Sequence, residues 1–527
     1  MTEQARPAQK NYVRQVLELF ERYGDAGAIV AWDGRRSYAD IRRTALRLAR
    51  ILHDQGVRAG AGVAMLAIDT IDSAALHLAL HLIGCRTIWI ATYAPVREQV
   101  DFAVFAQPDV LIYTVTERRE RIAGELASLT GPLKIFSLGA GGQGMDLFAA
   151  LKDDPGEFDL ELAGPDPESL FYTSGTTGKP KLVCHGGSYY AALLDIAEYY
   201  RMIGEPPMRF LVGASFTYVS GQTPAFLTLF EGGTLFIDEG ADPVQTLATI
   251  EKERITSTFL TPAQLYELID QARTTPTDTS SMRYLNVGGA AASPARLAEA
   301  IECFGPAVRI VYGSSEVPLI TDYPFLDRDP DHPERLSSCG RPFADTLVGI
   351  RDASGAAVPP GQTGEVWVSG SLLMTGYWRQ PELTGQTIVD GWLRTGDVGH
   401  LDEDGYLFLV GRASDMIITG QGAANVYPQP IEDVLVSHPA VRAAAVIAVP
   451  HEEYGEAVHA VVVIAPGADV TADELRELVR GELNDLYAPG TVEFAGSLPM
   501  TPLSKVDKRL LRERHHGGAA EPSGSAS

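Results

Sequence analysis

Phe171-Tyr172-Thr173-Ser174-Gly175-Thr176-Thr177-Gly178-Lys179-Pro180-Lys181 is the stretch on which the reading of the chain turns. Gly175 and Gly178 let the backbone turn tightly and bring its N–H groups up to an oxyanion. The hydroxyls of Thr173, Ser174, Thr176 and Thr177 add donors, and Lys179 adds charge. A Walker A loop is excluded, because only Thr176 and Thr177 separate Gly175 from Gly178-Lys179. A polar hairpin turn is the plainer alternative. Single Gly/Thr-rich turns are common, but a string of this length and composition is not.

On the N-terminal side of this loop, helix and strand patterns alternate. Ser37 starts a helix, with Asp40 completing an approximate capping box. Ile41, Ala45, Leu48 and Leu52 recur at helical spacing, and Gly56 stops the run. Gly62 to Ile68 reads as a buried strand, Ile71 to Ile83 as a helix and Thr87 to Ala91 as a strand. Together they make a βαβ unit, hence a covered parallel sheet. On the C-terminal side, strands are expected at Arg209–Gly213, Thr234–Ile237, Thr258–Leu260, Tyr284–Val287 and Arg309–Val311, with helical segments between them. Ser293 and Pro294 are the expected N-cap and first residue of one such helix.

From Thr346 the pattern changes to short strands between Gly and Pro turns, such as Gly364–Val368 and Gly405–Val410, which predicts a mostly antiparallel subdomain. A fresh α+β pattern begins near Gly411: helix Ile431–Ser437, strands Val441–Val449 and Ala457–Ile464, helix Ala472–Leu486. The expected fold is α/β: a large N-terminal domain (1–411) of parallel-rich sheets with helices and the antiparallel subdomain, a hinge (412–415), and a small mobile α+β domain (416–516). The Gly/Ala/Ser/Pro tail (517–527) is expected to be disordered.

The 527 residues call for more than one domain. With 43 Lys and Arg against 68 Asp and Glu, the net charge of −25 disfavours nucleic acid and anionic membranes as partners. An anionic substrate stays possible, since backbone N–H groups and one lysine can hold a phosphate locally. The N-terminus has no signal-peptide core, and no apolar run is long enough to span a membrane. Cys85, Cys184, Cys303 and Cys339 are widely spaced, which fits reduced thiols and a cytoplasmic location.

The loop resembles the phosphate-binding signature of the adenylate-forming superfamily, which includes acyl- and aryl-CoA synthetases, peptide-synthetase adenylation domains and luciferases. Further segments match in order. Tyr312-Gly313-Ser314-Ser315-Glu316 is similar to the family's Tyr-Gly-x-Thr-Glu, and Gly361 to Thr384 to its Gly-Glu…Gly-Tyr…Pro-Glu-x-Thr segment. Thr395-Gly396-Asp397 and Gly411-Arg412 match the ribose-binding pair, and Leu498 to Lys505 resembles the C-terminal lysine motif. Chance agreement of several motifs in order is negligible beside that of one.

The resemblance implies ATP and Mg²⁺ as cofactors, and a carboxylate that attacks the α-phosphorus while pyrophosphate leaves. Thr173, Ser174, Gly175, Thr176, Thr177, Gly178 and Lys179 would grip the distal phosphates. Thr173 and Glu316 would hold Mg²⁺, a hard cation that takes oxygen ligands. Tyr312, Gly313 and Ser315 would bind the nucleotide, Tyr312 stacking near adenine beside Gly289 and Ala290. Asp397 would accept from the ribose hydroxyls with Arg412 supporting it. Lys505 and Glu316 would be the catalytic pair, Lys505 bridging substrate oxygens and α-phosphate. His185 and His438 read as ordinary surface or loop histidines.

The chain departs from the family pattern in places. Ser504 stands before Lys505 where Gly is usual, and Ser414 stands at the hinge where Asp or Lys is usual. Thr419 to Asn425 is longer than the usual Gly-Gly-x-Asn stretch, through Ala423 and Ala424. That loop enters the site for the second half-reaction in relatives, so weak coupling to coenzyme A is expected. Thr217 occupies the place where peptide synthetases carry an Asp for an α-ammonium, which argues against α-amino acids. Tyr218, Gln222 and Thr223 suit an aryl or arylalkenyl acid with a polar ring substituent, although Tyr218 reads equally well as packing. The expected activity is adenylation of a small acid and transfer to CoA or a carrier protein. The alternative is a diazotase of the same fold that adenylates nitrite and diazotises an aryl amine. Lys179, Glu316, Asp397, Arg412 and Lys505 together argue against a non-enzymatic scaffold.

Overall fold

The computed structural model describes residues 11–32, 34–66, 70–91, 94–173, 181–238, 242–324, 332–419, 424–451, 455–501 and 505–517. The loop residues Ser174, Gly175, Thr176, Thr177, Gly178 and Lys179, together with residues 420–423, Ser504 and the tail from 518, lie outside them.

Local signals and structure agree well at the N-terminal end. Ser37 Oγ accepts from Asp40 N at 3.1 Å and Ser37 N donates to Asp40 Oδ2 at 3.0 Å, a complete capping box on helix Tyr38–Asp54. Its apolar face, including Ile41, Ala45, Leu48 and Leu52, is buried, and Gly56 follows it at φ 84°. Strands Gly62–Leu66 and Arg86–Trp89 are parallel neighbours joined through helix Ser73–Ile83. Helix Pro294–Phe304 starts where expected, but the Ser293 hydroxyl makes no capping bond; its N–H donates instead to Tyr266 Oη at 2.8 Å.

Among the described residues there are four sheets. The first runs in the order 341–342, 321–324, 308–312, 284–287, 257–260, 209–212, 234–237, 27–31, 34–37. Its pairings are parallel from Val308–Tyr312 to Gly27–Ala31 and antiparallel at both edges. The second runs 376–377, 181–186, 168–173, 86–89, 62–66, 110–114, 134–138, 145–146. One apolar cluster joins residues of both, from Val16 and Ile29 to Phe171, Phe226 and Ile237. An antiparallel sheet follows, built from Leu347–Arg351, Gly364–Ser369, Ile388–Val389, Trp392–Leu401 and Leu407–Arg412.

Strands beyond Ser414 form a separate sheet: Ile417–Thr419, Ala424–Val426, Val441–His451, Gly455–Ile464 and Thr491–Phe494. It has its own core, with Ile417, Val426, Ile431, Leu435, Val446, Val462, Leu475 and Val479 buried together. The helix expected over 472–486 is Ala472–Glu482; Leu483, at φ −113° and ψ −84°, has left the helical region. The last helix, Lys508–Gly517, is tied down by buried Leu511 and by ion pairs Lys508–Glu432 and Arg512–Asp415, both 2.7 Å. No helix among the described residues is long and apolar enough to cross a membrane.

Candidate active site

The site lies at the carboxyl ends of the parallel strands of the first sheet, where α/β folds place ligands. Strands Trp392–Leu401 and Leu407–Arg412 pair with Asp397 opposite Arg412. That register brings Arg412 Nε to 2.8 Å from Asp397 Oδ1. Tyr312, the last residue of its strand, donates its hydroxyl to Asp397 Oδ2 at 2.5 Å. Asp397 is only 5% exposed, and burial pushes its pKa up; Arg412 and the Tyr312 hydrogen bond work the other way. Burial and the Asp397 carboxylate keep the Tyr312 phenol well above its ordinary pKa. The result is an oriented carboxylate flanked by a cation and a phenol.

The turn after Tyr312 has little freedom. A Cβ at Gly313 would lie 2.2 Å from the Pro318 carbonyl oxygen, so only glycine fits. Ser314 N donates to Val317 O at 2.9 Å and Met374 N to Glu316 O at 2.8 Å. Tyr377 Oη donates to Glu316 Oε1 at 2.8 Å. Tyr377 sits on a two-residue strand paired with Lys181–Gly186, and the Lys181 ammonium lies 5.8 Å from its ring centre. The strands flanking the phosphate loop are themselves antiparallel, with Thr173 opposite Lys181 and Thr173 Oγ1 donating to Lys181 O at 3.5 Å. Glu316 and the base of the loop are therefore linked through Tyr377.

His185 corrects the expectation of a surface or loop histidine. It lies in strand Lys181–Gly186, is fully buried, and its Nε2 donates to Ser315 O at 2.8 Å. Burial pushes its pKa down to about 4, against the opposing pull of Ser315 O and Glu316. It braces the Ser315–Glu316 turn as a neutral ring. His438 does lie at a helix end, its Nδ1 accepting from Ala440 N at 3.2 Å. His185 has no local signal, and although Tyr377 lies in the matched Gly-Tyr step of Gly361–Thr384, nothing local names Glu316 as its partner.

Lys505 enters the site from the last segment of the chain. Its backbone is held by Thr501, whose N donates to Lys505 O at 2.7 Å and whose Oγ1 accepts from Lys505 N at 3.2 Å. The Lys505 Cε lies 4.0 Å from where a Cβ on Gly289 would be, and Gly289 has φ 84°. The side chain is solvent-accessible, yet crowding by protein atoms pushes its ammonium pKa down, as does Arg412, while Asp397 and Glu316 push it up. Gly289, Tyr312, Glu316, Asp397, Arg412 and Lys505 thus converge. Ala290 follows Gly289 in the same loop, between strand Tyr284–Val287 and helix Pro294–Phe304.

The expected acid pocket comes out differently. Gln222 and Thr223 lie in helix Val219–Glu231 and are buried. Gln222 Oε1 accepts from Tyr190 Oη at 2.6 Å and its Nε2 donates to Phe216 O at 3.2 Å. Thr223 Oγ1 donates to Val219 O at 2.7 Å and lies 2.6 Å from Tyr189 Oη. Their polar atoms serve the interior, because a buried amide or hydroxyl left unpaired costs about 1–3 kcal/mol. Thr217 is likewise buried, 3.0 Å from Ser215 Oγ. Tyr218 caps the same helix and packs against Ala91, Ala94 and Tyr172, next to Thr173. In the stretch Thr419 to Asn425, Thr419 pairs with Ala424, so Ala424 belongs to a strand, while residues 420–423 lie outside the described residues.

The sequence pattern of the AMP-binding enzyme family matches residues 17–378, and that of the AMP-binding enzyme C-terminal domain matches residues 430–505. A medium/long-chain-fatty-acid–CoA ligase of Mycobacterium tuberculosis is 39% identical over 67% of this chain and 62% of its own length. A feruloyl-CoA synthase of Amycolatopsis is 34% identical over 91% of this chain and 94% of its own. The amide bond synthetase of Marinactinospora thermotolerans superposes with a TM-score of 0.86 at 37% identity, covering 95% of this chain and 99% of its own.

Proposed function

The chain belongs to the AMP-binding enzyme family of AMP-forming ligases, and from that premise we propose that it adenylates a small aryl or acyl carboxylic acid and hands the acyl group to an amine rather than efficiently to coenzyme A. The observation that carries the first half is the convergence of Lys505 with Asp397, Arg412, Glu316 and Gly289 in one cleft. ATP fits this donor set. Asp397, fixed by Arg412 and Tyr312, accepts from the ribose hydroxyls, and the glycine-containing loop at Gly289 and Ala290 admits the adenine. The strand pair ending at Thr173 and Lys181 carries the phosphate loop. Oxygen donors such as Glu316 and Thr173 would hold Mg²⁺, whose positive charge offsets that of the phosphates.

A carboxylate oxygen attacks the α-phosphorus, the bond to the bridging oxygen breaks, and pyrophosphate leaves. Lys505 neutralises the two anions that must approach and gains most as charge builds in the transition state. His185 and Tyr377 hold Glu316 in position. Tyr218 forms the acid-side wall next to the phosphate loop, and buried Thr217 offers an α-ammonium no counter-charge, so α-amino acids are poor substrates.

The acceptor assignment is supported by the likeness to an amide bond synthetase over nearly the full chain. Similarity to CoA ligases favours the thioester route. The deciding experiment measures pyrophosphate release with a panel of aryl and acyl acids, then product masses with CoA, an amine, or nitrite plus an aryl amine. Acyl adenylate and amide products support the proposal. Thioester formed as fast as pyrophosphate is released overturns the acceptor half. Pyrophosphate release that requires nitrite and no acid overturns both halves.

A further inference from the structure

Three side chains of the C-terminal sheet and last helix, none of them among the residues of the nucleotide site, converge. His459 projects from strand Gly455–Ile464, Glu493 from the adjacent parallel strand Thr491–Phe494, and His515 from helix Lys508–Gly517. One ligand atom from each lies within 4.8 Å of the others. His459 Nε2 is 3.6 Å and His515 Nε2 3.2 Å from the same oxygen, Glu493 Oε2. Two ligands on a tetrahedral zinc with bonds of about 2.0–2.1 Å are about 3.3 Å apart, so these spacings need little adjustment.

His459 is the telling member. It is 6% exposed, and its Nε2 has no hydrogen-bond partner. A buried ring nitrogen left without a partner is costly, and such atoms call for an explanation. Its other nitrogen, Nδ1, lies 2.6 Å from Thr491 Oγ1. With the hydrogen on Nδ1 and donated to Thr491, Nε2 presents its lone pair toward Glu493 and His515. A metal-binding histidine is commonly oriented in this way by a partner on its second nitrogen.

We propose that His459, Glu493 and His515 form a binding site for Zn²⁺ or a chemically similar divalent transition-metal ion, with water as the fourth ligand. Two imidazoles and a carboxylate suit zinc far better than Mg²⁺ or Ca²⁺, which favour oxygen donors. The site is structural in effect. It clips the last helix to the sheet and closes the chain segment from Glu493 to His515, which contains Lys505. Leu511 and the Lys508–Glu432 and Arg512–Asp415 pairs already anchor that helix, and the metal adds a fourth tie.

The test uses the full chain with any affinity tag removed. After dialysis against Zn²⁺ and then metal-free buffer, metal content is measured, and Co²⁺ is added to metal-free protein while its visible ligand-field bands are followed. About one ion per chain and the intense bands of a tetrahedral Co²⁺ centre are expected. Both are lost in Glu493→Gln and His515→Ala, whose side chains are exposed or partly exposed and whose substitution leaves the fold intact. His459→Ala loses them too, with its folding checked by circular dichroism. Zn²⁺ also raises the melting temperature of the wild type by a few degrees and of the variants not at all. No bound metal, or binding unaltered in Glu493→Gln and His515→Ala, overturns the proposal.

Discussion

Lys505 and Tyr377 differ in what their removal should do. In the proposed site Lys505 would act where the α-phosphate and acid meet, whereas the distal phosphates would belong to the loop between Thr173 and Lys181. Lys505→Ala is therefore expected to cut pyrophosphate release on the order of a hundredfold or more, with ATP affinity by calorimetry changed only severalfold. Wild-type release by this variant would sink the assignment. Tyr377 donates one hydrogen bond to the Glu316 carboxylate. A bond to a charged group contributes about 1.5–3 kcal/mol, and Tyr377→Phe should lose roughly tenfold to a hundredfold in kcat. If Glu316 handles Mg²⁺, the loss in Tyr377→Phe should shrink as Mg²⁺ is raised in the assay. A loss independent of Mg²⁺ would mean that Tyr377 only packs.

At the scale of elements, the turn Gly313–Val317 is tightly constrained. The strand Val308–Tyr312 delivers Tyr312 to Asp397, and the next three residues reverse the chain so that Glu316 meets Tyr377. Adding one methyl at Gly313 would press it to 2.2 Å from Pro318 O, a backbone atom that cannot swing away. Gly313→Ala is expected to destabilise by more than about 2 kcal/mol, within the range of overpacked sites, and to abolish turnover. Urea midpoints check the first part; a midpoint equal to the wild type would show that the turn is softer than its contacts indicate. The helix Val219–Glu231 behaves differently. It carries Pro224 inside it and has buried residues on every side, so no amphipathic stripe announces it.

For the whole molecule, acid is the expected weakness. His81 and His185 are fully buried, and burial pushes their pKa values down to about 3 and about 4. His77, also buried, is lowered further by His81. The unfolded chain binds protons on these rings from about pH 6.5 downward, while the native chain resists. The unfolded state then holds more protons, so stability is full above about pH 6.5 and falls as pH drops toward about 4. Glu231 and Asp433, both pushed up to about 7, act in the opposite sense. A comparison of variants removes their contribution. His185→Gln keeps a donor for Ser315 O but does not titrate. Its unfolding free energy should fall less steeply than the wild type's between about pH 6 and 4.5, by up to about 1.4 kcal/mol per pH unit. Equal slopes in denaturant titrations would refute the role of His185 as a buried neutral ring.

Periodicity, caps and glycine stops were readable from neighbouring residues alone. The capping box at Ser37, the βαβ unit through Ser73–Ile83 and strands Thr234–Ile237 and Tyr284–Val287 follow from that local information. The ordered motifs also marked Tyr312, Glu316, Asp397, Arg412 and Lys505 in advance, because each motif is a short continuous string. Other features were settled only by the order of strands in the sheets. His185 reaches Ser315 across 130 residues of sequence, and Tyr377 reaches Glu316 across 61. No local pattern encodes such pairings. The same holds for Gln222 and Thr223. Their residue types suit a ligand pocket, but Tyr189 and Tyr190, on a different helix, take up their hydrogen bonds and turn them inward. A polar side chain serves whichever partner the fold brings within about 3 Å, and that proximity is a property of the packed molecule rather than of its order of residues.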